Sequence, residues 1–456
     1  MFGQPTSRRW KAALAGTVSA GLLFGVAACG GDDDSGGGAS TDASASAIDC
    51  APYTKFGDLK GKTVSVYTSI VTPEDTPQIK SYKPFEDCTG VTVKYEGDKA
   101  FETQILVRAR AGNPPDIGFV PQPGLVKQLV ATGKAVPAPP EVAANAEKYW
   151  DPAWKAYTTI DGKFYGAPLG ANVKSLVWYS PAEFKDSNYQ VPTTLDELKA
   201  LSDKMVADGK KPWCAGIASG DATGWPVTDW VEDFMLRLYG PDTYDKWVNH
   251  SIPFNGPEST ASFDAVGSYL KNDKYVNGGL GDVKSIASTA FQDGGLPILE
   301  GTCSLHRQAS FYAANFPKGT KIAEDGDIFA FYLPSKDASS KPVLGAGEFT
   351  IAFADRPEVK AFQTYLSSPE WANIKAKVSS GWVSANKGLD PNNLVNPIDK
   401  LAAGILLDPK AQFRFDGSDQ MPAAVGSDAF WKQATSWITG QDTKTTVDNI
   451  EKAWPK

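Results

Sequence analysis

The run TVSVYTSIVTPEDTPQIKSYKPFEDCTGVTVKYEGDKAFETQILVRARAGNPPDIGFV, residues 63–120, sets the architecture of this chain. Residues 63–68 alternate with a β-rich composition, and the stretch after them reads as helix up to Cys88, closed by Thr89 and Gly90. A second strand follows at 91–95 and a helix from about Phe101 to Ala111. The breaker Gly112-Asn113-Pro114-Pro115 then precedes a short strand at 117–120. This is a βαβαβ series. Such alternation implies a mostly parallel sheet covered by helices, with ligands met at the carboxyl ends of the strands.

The pattern restarts after Lys174, with a strand at 175–179, a helix at 194–208 capped by Thr193 or Thr194, and a strand at 213–217. Two α/β units in series, without a Pro/Ser-rich linker, predict two lobes joined by crossing strands. No internal repeat is visible.

Upstream, Arg8, Arg9 and Lys11 precede an apolar run at 12–26, and Val26-Ala27-Ala28-Cys29 reads as a bacterial lipobox. Residues 1–28 are therefore expected to be a lipoprotein signal peptide, with Cys29 the lipidated mature N-terminus. Each buried acyl CH₂ contributes about 0.8 kcal/mol, so two glyceride-linked chains hold durably where one holds marginally. An ordinary cleaved signal with an incidental cysteine is the alternative. Residues 29–49 are expected to be a flexible tether, because 30–47 contain almost nothing but Gly, Asp, Ser, Ala and Thr. These readings place the protein, as a monomer, on the outer face of the cytoplasmic membrane.

At 42% hydrophobic and 21% charged residues the chain has the composition of a soluble protein, and its net charge of −8 argues against nucleic acid as a partner. Cys29 apart, the five cysteines leave four, Cys50, Cys88, Cys214 and Cys303, which outside the cytoplasm suggest two disulfides. Three pairings are open. Bridges within each half, Cys50 with Cys88 and Cys214 with Cys303, are the ones expected.

Enzyme signatures are missing. His250 and His306 lie far apart without metal-ligand spacing, and there is no Gly-x-Ser-x-Gly elbow, Walker loop or dinucleotide fingerprint. No catalytic residue, metal or cofactor is expected. Aromatics, by contrast, abound: 13 Trp, 16 Tyr and 22 Phe. Most must fill cores, but several sit beside Gly, Pro or Asp in predicted loops, where they could serve as platforms for sugar rings.

From about Ala51 to Trp454 the chain resembles the family 1 extracellular solute-binding proteins of ABC importers, and among these the actinobacterial lipoproteins that bind α-glucosides. The resemblance rests on short tracts in the family's order. They include Gly61-Lys62-Thr63-Val64-Ser65-Val66-Tyr67, Ala111-Gly112-Asn113-Pro114-Pro115-Asp116, Gly224-Trp225-Pro226-Val227-Thr228-Asp229-Trp230, Cys303-Ser304-Leu305-His306-Arg307-Gln308 and Phe415-Asp416-Gly417-Ser418-Asp419-Gln420. Where many members have Tyr-Tyr-Asn, this chain has Trp178-Tyr179-Ser180. The resemblance implies a two-lobed, periplasmic-binding-protein-like fold. Its N-lobe would be built from 50–171 and 327–380 and its C-lobe from 172–326 and 381–456, with crossings near 170–174, 325–329 and 380–386. It also implies a receptor that closes over an oligosaccharide such as maltose, trehalose or sucrose and delivers it to a membrane permease. A lipoprotein glycosidase, or a binding protein for peptides or metal, is the rival reading.

For such a ligand, Trp225 and Trp382 are the expected stacking platforms, each following a Gly, with Trp431 a third. Expected hydroxyl contacts are Asp98 and Gln122 beyond strands of the first lobe, Asn172 and Lys174 at the first crossing, and His306, Arg307, Glu348 and Asp419 facing them. A carboxylate or guanidinium bonds two adjacent hydroxyls, and an analogue lacking them leaves it unpaired. Surface salt bridging or capping is the competing explanation for each.

Overall fold

Val64 and Val66 face one side of the strand Thr63–Thr68 while Tyr67 faces the other, and this two-residue period builds the first lobe. The structure, a computed structural model, describes residues 48–455; the expected signal peptide, Cys29 and the tether up to residue 47 lie outside them. Thr63–Thr68 pairs in parallel with Thr92–Gly97 on one side and Ile117–Val120 on the other, and Phe349–Ala352 closes the sheet antiparallel to Ile117–Val120. One face packs Ile117 and Phe119 against the helix Pro357–Leu366 through Val359 and Phe362. The other packs Val120, Phe349 and Ile351 against Phe101 and Ile105 of the helix Phe101–Arg110.

The second lobe is built on antiparallel strands, Leu305–Arg307, Leu176–Tyr179 and Phe329–Tyr332, and on a large helical core. Leu195–Ala207 is capped at its start: Thr194 accepts from the Glu197 N–H at 3.2 Å, and Glu197 reaches back to accept from the Thr193 N–H at 2.7 Å. The helix Trp225–Val248 is broken at Gly240, where φ is 79°, just before Pro241. The strand expected at 213–217 is reduced to one bridge between Trp213 and Leu305, because Ala215 there bonds the Asn277 side chain in place of a neighbouring strand.

Between the lobes, Asn172–Val173 and Lys341–Ala346 run antiparallel, with Ala411–Phe415 parallel to the latter, and Ala171 bridges Val383. The segments expected to cross near 170–174 and 380–386 thus pair with each other through Ala171 and Val383. The crossing expected near 325–329 is displaced: Phe329–Tyr332 pairs with Leu176–Tyr179, so the chain stays with the second lobe until Lys341–Ala346. Cys50 is bonded to Cys88 and Cys214 to Cys303, with Cα separations of 5.3 and 5.6 Å.

Candidate functional site

Three turns at one end of the first sheet supply one wall of a cleft. Ser69 and Ile70 follow Thr63–Thr68, Pro121 and Gln122 follow Ile117–Val120, and Gly347 and Glu348 precede Phe349–Ala352. Asn172 and Lys174 form the floor at the first crossing, and Trp225, Phe291, Phe311, Asp419 and Trp431 face them from the second lobe. The cleft measures about 1380 Å³, counting the space continuous with solvent.

Glycine fixes both principal tryptophans. At Gly224 φ is +113°, and a Cβ there would stand 2.2 Å from the Trp431 carbonyl, so the start of the Trp225–Val248 helix lies directly on the chain at Trp431. The Trp225 ring meets Phe291 edge-on at 5.0 Å and Phe311 at 6.0 Å, with Lys174 Nζ 5.4 Å from its centroid. At Gly381 φ is +82° and a Cβ would meet the Ser310 carbonyl at 2.2 Å. The Gly381 N–H donates to Asp399 Oδ1 at 2.5 Å, and the next residue, Trp382, packs edge-on against Trp371 at 5.4 Å. Trp431 is buried, and its Nε1 has no partner among the described residues.

Beneath the floor runs a buried charge network. Lys174 donates to Asp229 at 2.8 Å and to Asp416. Arg307 joins Asp229, at 3.1 Å, to Asp233, which also accepts from Arg237 at 2.5 Å and from the Ser175 hydroxyl at 2.6 Å. Arg237 in turn donates to the carbonyls of Leu333 at 2.8 Å and Pro334 at 2.9 Å. Three cations, Lys174, Arg237 and Arg307, thus meet three carboxylates, Asp229, Asp233 and Asp416. Burial alone would raise Asp416, but the charge and hydrogen bond of Lys174 bring it down to about 2.

Elsewhere on the wall, burial has weaker opposition. It pushes Glu74 to about 7, where Asn315 donates to it at 3.3 Å and Glu348 repels it. It raises Glu348, and it lowers Lys375 to about 7 against the attraction of Glu348 and Glu74. Glu102 and Asp399 are likewise raised to about 7 by burial. A carboxyl whose folded pKa exceeds its unfolded value keeps its proton longer in the native state, so its contribution to stability is lost as pH rises from about 4.5 to about 7. His306, lowered by burial to about 4, acts in the opposite sense between about 4 and 6.5, and Lys375 begins to act above about 7. Four raised carboxyls, Glu74, Glu102, Glu348 and Asp399, outweigh one histidine. The ligand-free protein is therefore expected to melt at a higher temperature near pH 5 than near pH 7, and a calorimetric profile rising across that interval would contradict this balance.

Of the residues expected from the sequence, Gln122, Asn172, Lys174, Trp225, Glu348, Trp382, Asp419 and Trp431 come together on the cleft. Asp98, His306 and Arg307 do not. Asp98 accepts from the Tyr67 hydroxyl and the Ala100 N–H, both at 2.9 Å, and so fixes its own turn. His306 is buried, with Nδ1 donating to the Cys214 carbonyl at 2.9 Å and its ring against Tyr312. Arg307 lies inside the network beneath the floor. Sequence reasoning missed Glu74, Glu102, Phe291, Gln292, Phe311 and Lys375. Glu102 was within reach, since it opens the helix after Thr92–Gly97 at the same strand end that singles out Gln122. Lys375, in the helix Pro369–Val378, has the sequence context of any surface lysine.

A family model described as bacterial extracellular solute-binding protein matches residues 71–373. The chain belongs to this family. The alpha-glucosides-binding periplasmic protein AglE of Rhizobium meliloti is 39% identical over 420 residues, which cover 88% of this chain and 89% of that protein. The osmoprotective compounds-binding protein GgtB of Synechocystis is 37% identical over 408 residues, covering 88% and 94%. Among solved structures, the solute receptor AcbH has a TM-score of 0.72 at 20% identity, covering 86% of this chain and 98% of its own. Maltose-bound MalE3 of T. maritima has a TM-score of 0.67 at 16% identity, covering 86% and 98%. Both support the two-lobed fold of this solute-binding protein.

Proposed function

We propose that this solute-binding protein captures a small oligosaccharide outside the cytoplasm and delivers it to the permease of an ABC importer. The favoured class is α-linked glucosides such as maltose, trehalose or sucrose. The observation that carries this reading is the pairing, in one cleft, of the Trp225 and Trp382 rings with buried polar atoms that have no partner among the described residues: Gln122 Oε1, Asn172 Oδ1, Gln292 Oε1 and Trp431 Nε1. An unpaired buried polar atom costs about 1–3 kcal/mol, and a hydroxyl-rich ligand supplies the missing hydrogen bonds while its C–H faces cover the rings. An apolar ligand would leave them unpaired. The name of the 39% identical relative, AglE, favours the α-glucoside class.

In this reading the lobes close because the ligand binds the closed state more tightly, and the closed form engages the permease. The protein acts as a monomer without catalysis, anchored by lipid at Cys29 to the outer face of the cytoplasmic membrane. A thermal-shift screen with maltose, trehalose and sucrose tests it, since a ligand at 100 times its Kd stabilises by about 2.7 kcal/mol. At least one sugar is expected to raise the melting temperature and to be recovered intact. Hydrolysed sugar would establish the glycosidase instead, and no shift with any of them would reject the α-glucoside class. For the anchor, Cys29→Ser is expected to move the protein from the membrane to the soluble fraction.

A further inference from the structure

The corner of the cleft where Gln122 meets Glu102 differs in chemistry from the rest of its wall. Gln122, 4% exposed, donates Nε2 to Glu102 Oε1 at 3.3 Å, and this leaves two buried acceptors without a partner among the described residues, Gln122 Oε1 and Glu102 Oε2. Asp419 reaches the same corner from the second lobe. The helix Pro123–Ala131, which follows Gln122, abuts it so closely that a Cβ on Gly124 would stand 3.3 Å from the Asp419 carbonyl oxygen. Asp419 is 6% exposed; its N–H is used on Asp416 at 2.9 Å, while its carboxyl group receives no hydrogen bond from the described residues. Once Glu102 and Asp419 are ionised, the unpaired atoms that the described residues gather here are all acceptors.

Among the described residues no cation is committed to them. Lys174 attracts Asp419, but it donates to Asp229 and Asp416. Lys375 lies under the influence of Glu348 and Glu74, and Lys99 is exposed to solvent. Asp98 and Asp221 add further negative charge around Glu102. Burial accordingly raises both Glu102 and Asp419, and Asp416 adds to the rise of the latter. A neutral glycoside gives these oxygens hydroxyl protons. An ammonium gives them stronger, charge-assisted hydrogen bonds and draws Glu102 and Asp419, which burial holds toward the protonated form, into the ionised one.

We infer that Glu102, Gln122 and Asp419 form an ammonium subsite, so that the protein binds glycosides carrying a protonated amine more tightly than their neutral parents. This deepens the sugar reading and rests on it for the rest of the ligand.

The test is titration calorimetry at pH 7 on the whole protein. The probes are the neutral disaccharide that stabilises it in the thermal screen, the aminodeoxy isomers of that sugar, and their N-acetyl counterparts. At least one amino isomer is expected to bind about tenfold tighter than the parent, and N-acetylation, which removes the charge, should abolish the gain. In Glu102→Gln and in Asp419→Asn, both isosteric, the ratio of amino to neutral affinity is expected to fall toward one. The inference is overturned if every amino isomer binds no better than the parent, or if the ratio survives both substitutions. Should no neutral sugar bind, the sugar reading fails by itself. Glucosamine-containing disaccharides then decide the subsite: binding that is lost in the two variants supports it, and absence of binding ends it.

Discussion

Replacing Arg307 by alanine is expected to destabilise the protein by about 3–5 kcal/mol, the cost of stranding a buried charge when one partner of an ion pair is removed. Arg307, 2% exposed, joins Asp229 to Asp233, and both carboxylates are fully buried. Without it the network keeps two cations, Lys174 and Arg237, against three carboxylates, Asp229, Asp233 and Asp416. The damage should reach the cleft as well, since Asp229, together with Asp416, holds Lys174 at its floor. Arg307→Lys should lose less, because it keeps the charge and gives up the forked geometry that lets one side chain serve two carboxylates. Chemical denaturation of the ligand-free variants is the measurement. An arginine on the cleft wall, where the sequence suggested it, could be removed without loss of stability, so an unchanged midpoint for Arg307→Ala would return it to the wall and refute the network.

Why the sequence misplaced this residue is instructive. Strand-end positions could be read because they follow from local periodicity: Gln122 lies beyond a strand with a run of apolar residues, and Asn172 and Lys174 precede a second one. The two Gly-Trp pairs were legible for a related reason, a glycine beside a large ring outside any amphipathic stripe. His306 and Arg307 belong to the strand Leu305–Arg307, and a three-residue strand gives no period from which to tell the cleft side from the core side. Their polarity suggested solvent or ligand, whereas the partners that settle the matter, Asp229, Asp233 and the Cys214 carbonyl, come from elsewhere in the chain. The displaced second crossing has the same origin. Phe329–Tyr332 is a plausible strand of either lobe by composition, and its pairing with Leu176–Tyr179 is a long-range choice that local pattern does not encode.

Trp225→Ala is expected to weaken sugar binding about 30-fold, roughly 2 kcal/mol, as the loss of a central aromatic anchor does in other binding sites. The ring is half-buried and is held from two sides by Phe291 and Phe311, with the Lys174 ammonium nearby. Its neighbours thus fix its position before a ligand arrives, and little side-chain entropy remains to be lost on binding. The same packing means that truncation will also cost some stability in the ligand-free protein, so affinity and melting temperature must be measured together. A purely structural tryptophan would lower the melting temperature and leave the dissociation constant of the folded fraction unchanged. Trp225→Phe separates the two roles further: it keeps an aromatic face toward the cleft while removing the indole N–H, and it should recover most of the affinity if stacking is what the residue supplies. An affinity for Trp225→Ala within about threefold of the parent protein, less than 1 kcal/mol, would remove this ring from the ligand's contacts.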